Sequence, residues 1–155
     1  EFDCYINNIT SLVGIEKLSN LKKIECSYNQ ITSLEGIEKL YNLKTLSCYN
    51  NQLTSLVGIE NLSNLIMLDC DYNQLTSLKG IEKLSNLKEL EYNNNPIYDY
   101  IRTNYNSDWN KYINAVKAVR LIETWFLEVR YSPEYAYCRR KVYDFYDKVV
   151  NKIEK

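Results

Sequence analysis

The chain has 155 residues, 20 acidic and 19 basic side chains, and no histidine. A net charge of −1 argues against a general nucleic-acid or membrane-surface role. The missing histidine removes Ser-His and Cys-His nucleophile pairs and histidine metal sites. That length suits one domain or a solenoid with a cap.

Charge divides along the chain. Residues 1–95 carry 12 acids against 8 lysines, whereas residues 96–155 carry 11 basic side chains against 8 acids. No run of about 18 apolar residues occurs, so no transmembrane helix is expected. No signal peptide is visible, and the first residue is Glu1 instead of methionine, which leaves room for a removed upstream segment.

The chain opens in mid-repeat. Asn7, Asn29, Asn51, Asn73 and Asn95 recur with one constant period, and so do Gly14, Gly36, Gly58 and Gly80. One full unit occupies residues 40–62. Within it Leu43, Leu46 and Cys48 are followed by Asn51, Leu53, Leu56, Ile59 and Leu62. The alternation through Leu46 and Cys48 predicts a short strand with one buried face, with Thr45, Ser47 and Tyr49 on the other. Leu56, Ile59 and Leu62 step by three, which suits a 3₁₀ or short helical turn. The glycine column marks a tight backbone position. Strands are expected at 2–4, 24–26, 46–48, 68–70 and 90–92. A single such coil cannot offset its own ordering cost, so the units must stack and share strand hydrogen bonds and apolar contacts. The asparagine column fits that logic as a buried amide satisfying backbone groups in the turn after each strand.

The spacing L-x-x-L-x-L-x-x-N-x-L resembles the leucine-rich-repeat family. The 22-residue period and the phrase Gly-Ile-Glu-Lys-Leu-Ser-Asn-Leu at 80–87 are most similar to internalin-type repeats. The resemblance covers residues 1 to about 97. It implies an α/β fold: a right-handed leucine-rich-repeat solenoid with a parallel sheet on its concave side, short helical turns on its convex side, and binding by the concave face. One departure is consistent. The second strand position holds Cys4, Cys26, Cys48 and Cys70 where the family has leucine, and Tyr92 ends that column.

Pro96 ends the repeat pattern, because it removes a backbone donor. Residues 98–101 are expected to add a short turn and residues 104–107 to form a loop. Asn106 or Ser107 is expected to cap a helix that begins near Asp108 and carries Trp109, Ile113, Val116, Leu121, Trp125 and Val129. Ser132-Pro133-Glu134 starts a second helix, striped by Tyr135, Cys138, Val142, Phe145, Val149 and Ile153. The division is therefore a solenoid over 1–97 and a helical C-terminal cap over 98–155. The rival reading of that tail is a docking surface using Trp125-Phe126 or the basic triplet Arg139, Arg140 and Lys141. The tail from Trp109 to Arg139 also looks like the ends of repeat proteins encoded by large DNA viruses of amoebae.

The cysteines are the one chemical temptation. Four thiols on adjacent strands about 4.8 Å apart lie within disulfide reach. A linear ladder without C-x-x-C pairing does not make a tetrahedral metal site. A reduced, buried ladder of small apolar groups is the expected state, with disulfide pairing and metal as alternatives. Asp69 and Asp71 fall short of a calcium shell. No glycine-rich phosphate loop and no acid–base set appears, so neither enzyme activity nor a cofactor or metal is expected.

Function then rests on the outward rows of the concave face. One row is Asp3, Glu25, Ser47, Asp69 and Glu91; the next is Tyr5, Ser27, Tyr49, Asp71 and Asn93. Glu1, Lys23, Thr45, Met67 and Glu89 precede them, and Ile6, Tyr28, Asn50, Tyr72 and Asn94 follow. Stacked acids about 4.8 Å apart repel, and a basic partner relieves that repulsion while tyrosines supply rigid contact area. Five strands span only about 19 Å, which suits a peptide or one helix. The expected role is a non-catalytic protein–protein interaction module gripping a basic peptide or helix through Asp3, Tyr5, Lys23, Glu25, Tyr49, Met67, Asp69, Asp71, Glu89 and Glu91, with no nucleic-acid or membrane partner. The alternative is a structural or self-assembling component, viral in one version, that stacks through an uncapped N-terminal end. Reduced thiols favour an intracellular, cytoplasmic setting, and the viral resemblance a virion.

Overall fold

A computed structural model describes residues 1–130. Five short strands, β1 (Phe2–Asp3), β2 (Lys23–Glu25), β3 (Thr45–Ser47), β4 (Met67–Asp69) and β5 (Glu89–Glu91), pair in sequence order as one parallel sheet. The register follows the sequence period throughout: Ile24 faces Leu46, Leu46 faces Leu68, and Leu68 faces Leu90. Each crossover returns through a 3₁₀ turn, at Ile15–Lys17, Ile37–Lys39, Ile59–Asn61 and Ile81–Lys83. Connections of this kind between parallel strands are right-handed. The result is a leucine-rich-repeat solenoid with its sheet on one side and 3₁₀ turns on the other.

The strands sit one residue earlier than the alternation predicts. The cysteines lie just past them, yet the ladder continues: the Cys4, Cys26, Cys48 and Cys70 amides donate to the carbonyls of Glu25, Ser47, Asp69 and Glu91 at 2.8–2.9 Å. Pairing persists two residues further, with the Tyr28 amide donating to Tyr49 and the Tyr72 amide to Asn93.

The interior is what stacking supplies. Leu43, Leu46, Leu53, Ile59, Leu62 and Leu65 are wholly excluded from solvent. Neighbouring coils cover what a single coil would leave open, which is burial that one unit cannot reach alone. Behind each glycine a recurring contact explains the Gly-Ile-Glu phrase. The Gly36, Gly58 and Gly80 amides donate to the carboxylates of Glu38, Glu60 and Glu82 at 2.7–2.8 Å. The glycines adopt φ near +100°, a region side chains rarely enter.

The asparagines do line up in a file. Asn51 Nδ2 donates to the carbonyls of Cys48 and Tyr49 in its own coil and of Cys26 in the preceding one. Its Oδ1 accepts the Ile31 amide at 2.9 Å. Asn29, Asn73 and Asn95 repeat this set, and all four are buried. Asn7 keeps the two bonds within its own coil but is exposed.

Beyond β5 the structure corrects the sequence reading. Pro96 does not only end the repeat; it is the first residue of a helix, α1 (Pro96–Tyr105), in place of the expected short turn. Proline fits the first helical position because its missing N–H has no partner there in any helix. Ile97 and Ile101, one turn apart, are both buried, and the Ile97 amide donates to the Leu75 carbonyl. The α1 helix thus closes the last coil. Tyr92, which replaces cysteine in that coil, fills the space with a buried ring 5.8 Å from Tyr98. Burial pushes its phenol up to about 12. Asn104 and Tyr105, expected in a loop, belong to α1, whereas Asn106 and Ser107 take left-handed conformations that terminate it. The next helix, α2 (Trp109–Arg130), begins after Asp108. Residues 1–108 form one compact unit and α2 belongs to a second. The expected helix from Pro133 onward, the Arg139–Arg140–Lys141 cluster, Cys138 and residues 131–139 of the tail that resembles viral repeat proteins lie outside the described residues. No helix among the described residues is long and apolar enough to cross a membrane.

Candidate functional site

The unbroken register carries every outward strand residue into line with its counterpart one coil away. Glu25 pairs with Ser47, Ser47 with Asp69, and Asp69 with Glu91, so the acidic row read from the sequence exists as a row of strand neighbours. The row before it is equally real: Lys23 neighbours Thr45, Thr45 neighbours Met67, and Met67 neighbours Glu89.

The side chains differ in how they are held. At one end, Lys23 bridges Glu1 at 2.9 Å, with both side chains about half exposed or more. Asp3 turns an oxygen back to the Tyr5 amide, and Glu25 does the same to the Ser27 amide. In the middle, Ser27 and Ser47 share a hydrogen bond of 2.8 Å, and Ser47 donates to Asp69 at 3.4 Å. At the other end acids gather: Asp69, Asp71, Glu89 and Glu91 all lie on β4, β5 or the residues just after them. Asp71 is drawn toward the next coil, where it accepts from the Asn93 amide and side chain. Asn93 also donates to Glu91 at 3.2 Å. Met67 is half-buried among them.

Asp69 is the electrostatic focus. Partial burial raises its carboxyl above the usual range, and the charges of Asp71 and Glu91 push the same way, against hydrogen bonds from the Asp71 amide and Ser47. A carboxyl whose folded pKa lies above its unfolded value disfavours folding once ionised. That penalty is absent below the unfolded pKa and grows as pH rises through the folded one. Asp69→Asn is therefore expected to raise the melting temperature at pH 7 and to leave it unchanged at pH 3, read by thermal unfolding at both.

The structure adds a feature that spacing does not reveal. Spacing places Tyr5 and Tyr49 in one row and Tyr28 and Tyr72 in another, but the four rings form one continuous strip. Tyr5 meets Tyr28 edge-on at 5.4 Å, Tyr28 meets Tyr49 at 5.1 Å, and Tyr49 meets Tyr72 at 5.2 Å. All are at contact distance for aromatic pairs. Tyr28 and Tyr72 sit at φ of +56° and +51°, positions where the intervening coils carry Asn50 and Asn94. The left-handed twist holds these residues outward, in the last row read from the sequence, and brings them beside the preceding row. Tyr28 and Tyr72, read in an outward row but not among the expected contact residues, thus join the candidate contacts. The one available signal is asparagine at the equivalent positions, since asparagine tolerates that conformation. Hydrogen bonding to Tyr28, followed by partial burial, pushes the Tyr49 phenol up to about 12.

The thiols are not part of this surface. Cys4, Cys26, Cys48 and Cys70 are free and buried. Cys26, Cys48 and Cys70 direct Sγ to the carbonyls of Ser47, Asp69 and Glu91 at 3.1–3.2 Å. Burial raises all four above the ordinary thiol range. This is the reduced ladder, in which cysteine serves as a small core residue with a weak donor.

Known proteins share this architecture. The family described as "Leucine Rich repeats (2 copies)" matches residues 19–64 and, overlapping, 41–83. An internalin of Listeria monocytogenes is 30% identical over 61% of this chain, with a TM-score of 0.59. Internalin C2 of the same organism is 32% identical over 61%, with a TM-score of 0.58. A leucine-rich-repeat protein of Leptospira interrogans is 39% identical over 66%, with a TM-score of 0.60. The chain spans 28%, 43% and 28% of the lengths of these three. No curated protein matches the sequence. With the constant register, the asparagine file and these neighbours in agreement, residues 19–83 match leucine-rich-repeat units, and the chain has a leucine-rich-repeat solenoid similar to those of internalins.

Proposed function

We propose that this chain is a non-catalytic interaction module that holds a basic peptide on its concave face. The observation that carries the reading is the alignment of Glu25, Asp69 and Glu91 in one row of paired strands beside a strip of tyrosines. Like charges on adjacent strands repel, and a lysine or arginine laid across them converts that repulsion into attraction. Partial burial of Asp69 sharpens the effect, since its charge is less screened than a fully exposed one. The tyrosines contribute area with little side-chain entropy to lose.

The test uses a flexible, lysine-bearing probe, (Gly-Gly-Lys)4 with a fluorophore, and reads its anisotropy at low salt. The Asp69→Lys, Glu91→Lys double variant is expected to weaken binding at least about tenfold, in line with charged-pair contributions of roughly 1.5 kcal/mol or more. Unchanged binding by that variant would remove the concave face from the account.

A further inference from the structure

We infer that the segment recognised is proline-rich, held as a polyproline II helix running across the strands, with its prolines on the tyrosine strip and its basic side chains on the acidic row. This rests on the reading of the face as a basic-peptide site and deepens it by naming the partner's conformation.

The geometry that selects it is a two-coil repeat. Along the strip the rings alternate between two positions: Tyr5 and Tyr49 lie two coils apart, and so do Tyr28 and Tyr72. Glu25 and Asp69 also lie two coils apart, with neutral Ser47 between them, and Asp3 and Glu91 extend the row by one coil at each end. At about 4.8 Å per strand, two coils span about 9.6 Å. A polyproline II helix advances about 3.1 Å per residue with about three residues per turn, so one face repeats every ~9.3 Å. Every third residue then meets the same kind of site, with a mismatch of only about 0.3 Å per turn. The other regular conformations fall out of step. An α-helix presents same-face side chains about 5–6 Å apart, which follows single coils, so it would set one cation over Ser47 and meet the same ring position only with every second side chain. An extended strand repeats on one face about every 6.6–6.8 Å.

The chemistry matches the spacing. Aromatic-lined grooves take proline rings because the polyproline helix is already ordered and loses little entropy on docking. Its carbonyls have no internal partner, and tyrosine hydroxyls are donors that can reach them. The rings at Tyr28 and Tyr72 are held outward at backbone angles that disfavour ordinary side chains. The same angle recurs at Ile6, Asn50 and Asn94, so the repeat's own turn fixes where these rings stand.

The experiment compares (Pro-Pro-Lys)4 with (Gly-Gly-Lys)4 on the full chain at one salt concentration. The two carry the same charge, and only the first is preorganised. The first is expected to bind at least tenfold more tightly. Tyr28→Asn with Tyr72→Asn is expected to abolish that preference, lowering (Pro-Pro-Lys)4 affinity at least tenfold more than (Gly-Gly-Lys)4 affinity. Asparagine already occupies the equivalent left-handed positions at Asn50 and Asn94, so the coils are retained. Equal binding of the two peptides would overturn the inference, and so would a preference that survives in the double variant. Tighter binding by a helical lysine-alanine peptide of equal charge would overturn it too. Each of these results leaves the acidic face standing as a basic-peptide site. If neither peptide binds, both readings fall.

Discussion

Asn51→Ala is expected to destabilise the solenoid by about 2–3 kcal/mol, measured by urea unfolding, while Asn7→Ala changes stability by less than about 0.5 kcal/mol. The two residues occupy the same place in the repeat and differ in what depends on them. Asn51 is buried and answers groups from two coils: its oxygen takes the Ile31 amide, and its amide serves the carbonyls of Cys26, Cys48 and Tyr49. Alanine leaves the Ile31 N–H without a partner in an interior closed to water, and an orphaned buried donor carries its full desolvation cost. Asn7 bonds only within its own coil and faces solvent, so water replaces it. Equal effects at the two sites would mean that the file does not tie one coil to the next.

The cysteine ladder gives the largest effect by rate. Cys48 and Cys70 are expected to react with iodoacetamide at pH 8 at least about a thousandfold more slowly in the folded chain than in concentrated urea, followed by mass spectrometry of labelled peptides. The thiolate is the attacking species, and each unit by which burial raises the pKa removes a factor of ten in its population. Both thiols sit fully inside the core, and the carboxylates of Asp69, Asp71 and Glu91 raise Cys70 further. Labelling then proceeds only through opening of the stack, so the Asn51→Ala variant should speed it in proportion to its lost stability. Rapid labelling of the folded chain would contradict the buried ladder. So would cysteines that fail to react even in urea without reductant, because they would be paired as disulfides.

These two expectations concern the scaffold, and the scaffold is where the sequence is most legible. A strict period sets register without any knowledge of packing: once Asn29, Asn51 and Asn73 are evenly spaced, Ile24, Leu46 and Leu68 must be neighbours, and they are. The burial of the leucine and cysteine columns follows from alternation alone. The end of the solenoid is less legible. Proline reads equally well as the stop of one element and the start of another, and only the contacts of Ile97 and Ile101 decide in favour of a helix at 96. The tyrosine strip is hidden for a different reason. The rows put Tyr28 and Tyr72 on the same face as Tyr5 and Tyr49, but only the single left-handed residue in each coil brings the two rows into ring contact. The pull of Asn93 on Asp71 is equally invisible in the sequence, because it depends on which rotamer the carboxylate adopts.

In the proposed function, what joins scaffold to binding is the row of acids. The repeat sets their spacing, partial burial of Asp69 keeps its charge from being fully screened, and the strip of rings lies alongside. The most direct test is an amide chemical-shift map of the chain titrated with a lysine-bearing peptide. The account predicts that the largest perturbations fall on the strand residues Glu25, Ser47, Asp69 and Glu91 and on Tyr49 and Tyr72. Perturbations confined to the 3₁₀ turns around Glu38, Glu60 and Glu82, with the strand rows unmoved, would contradict it.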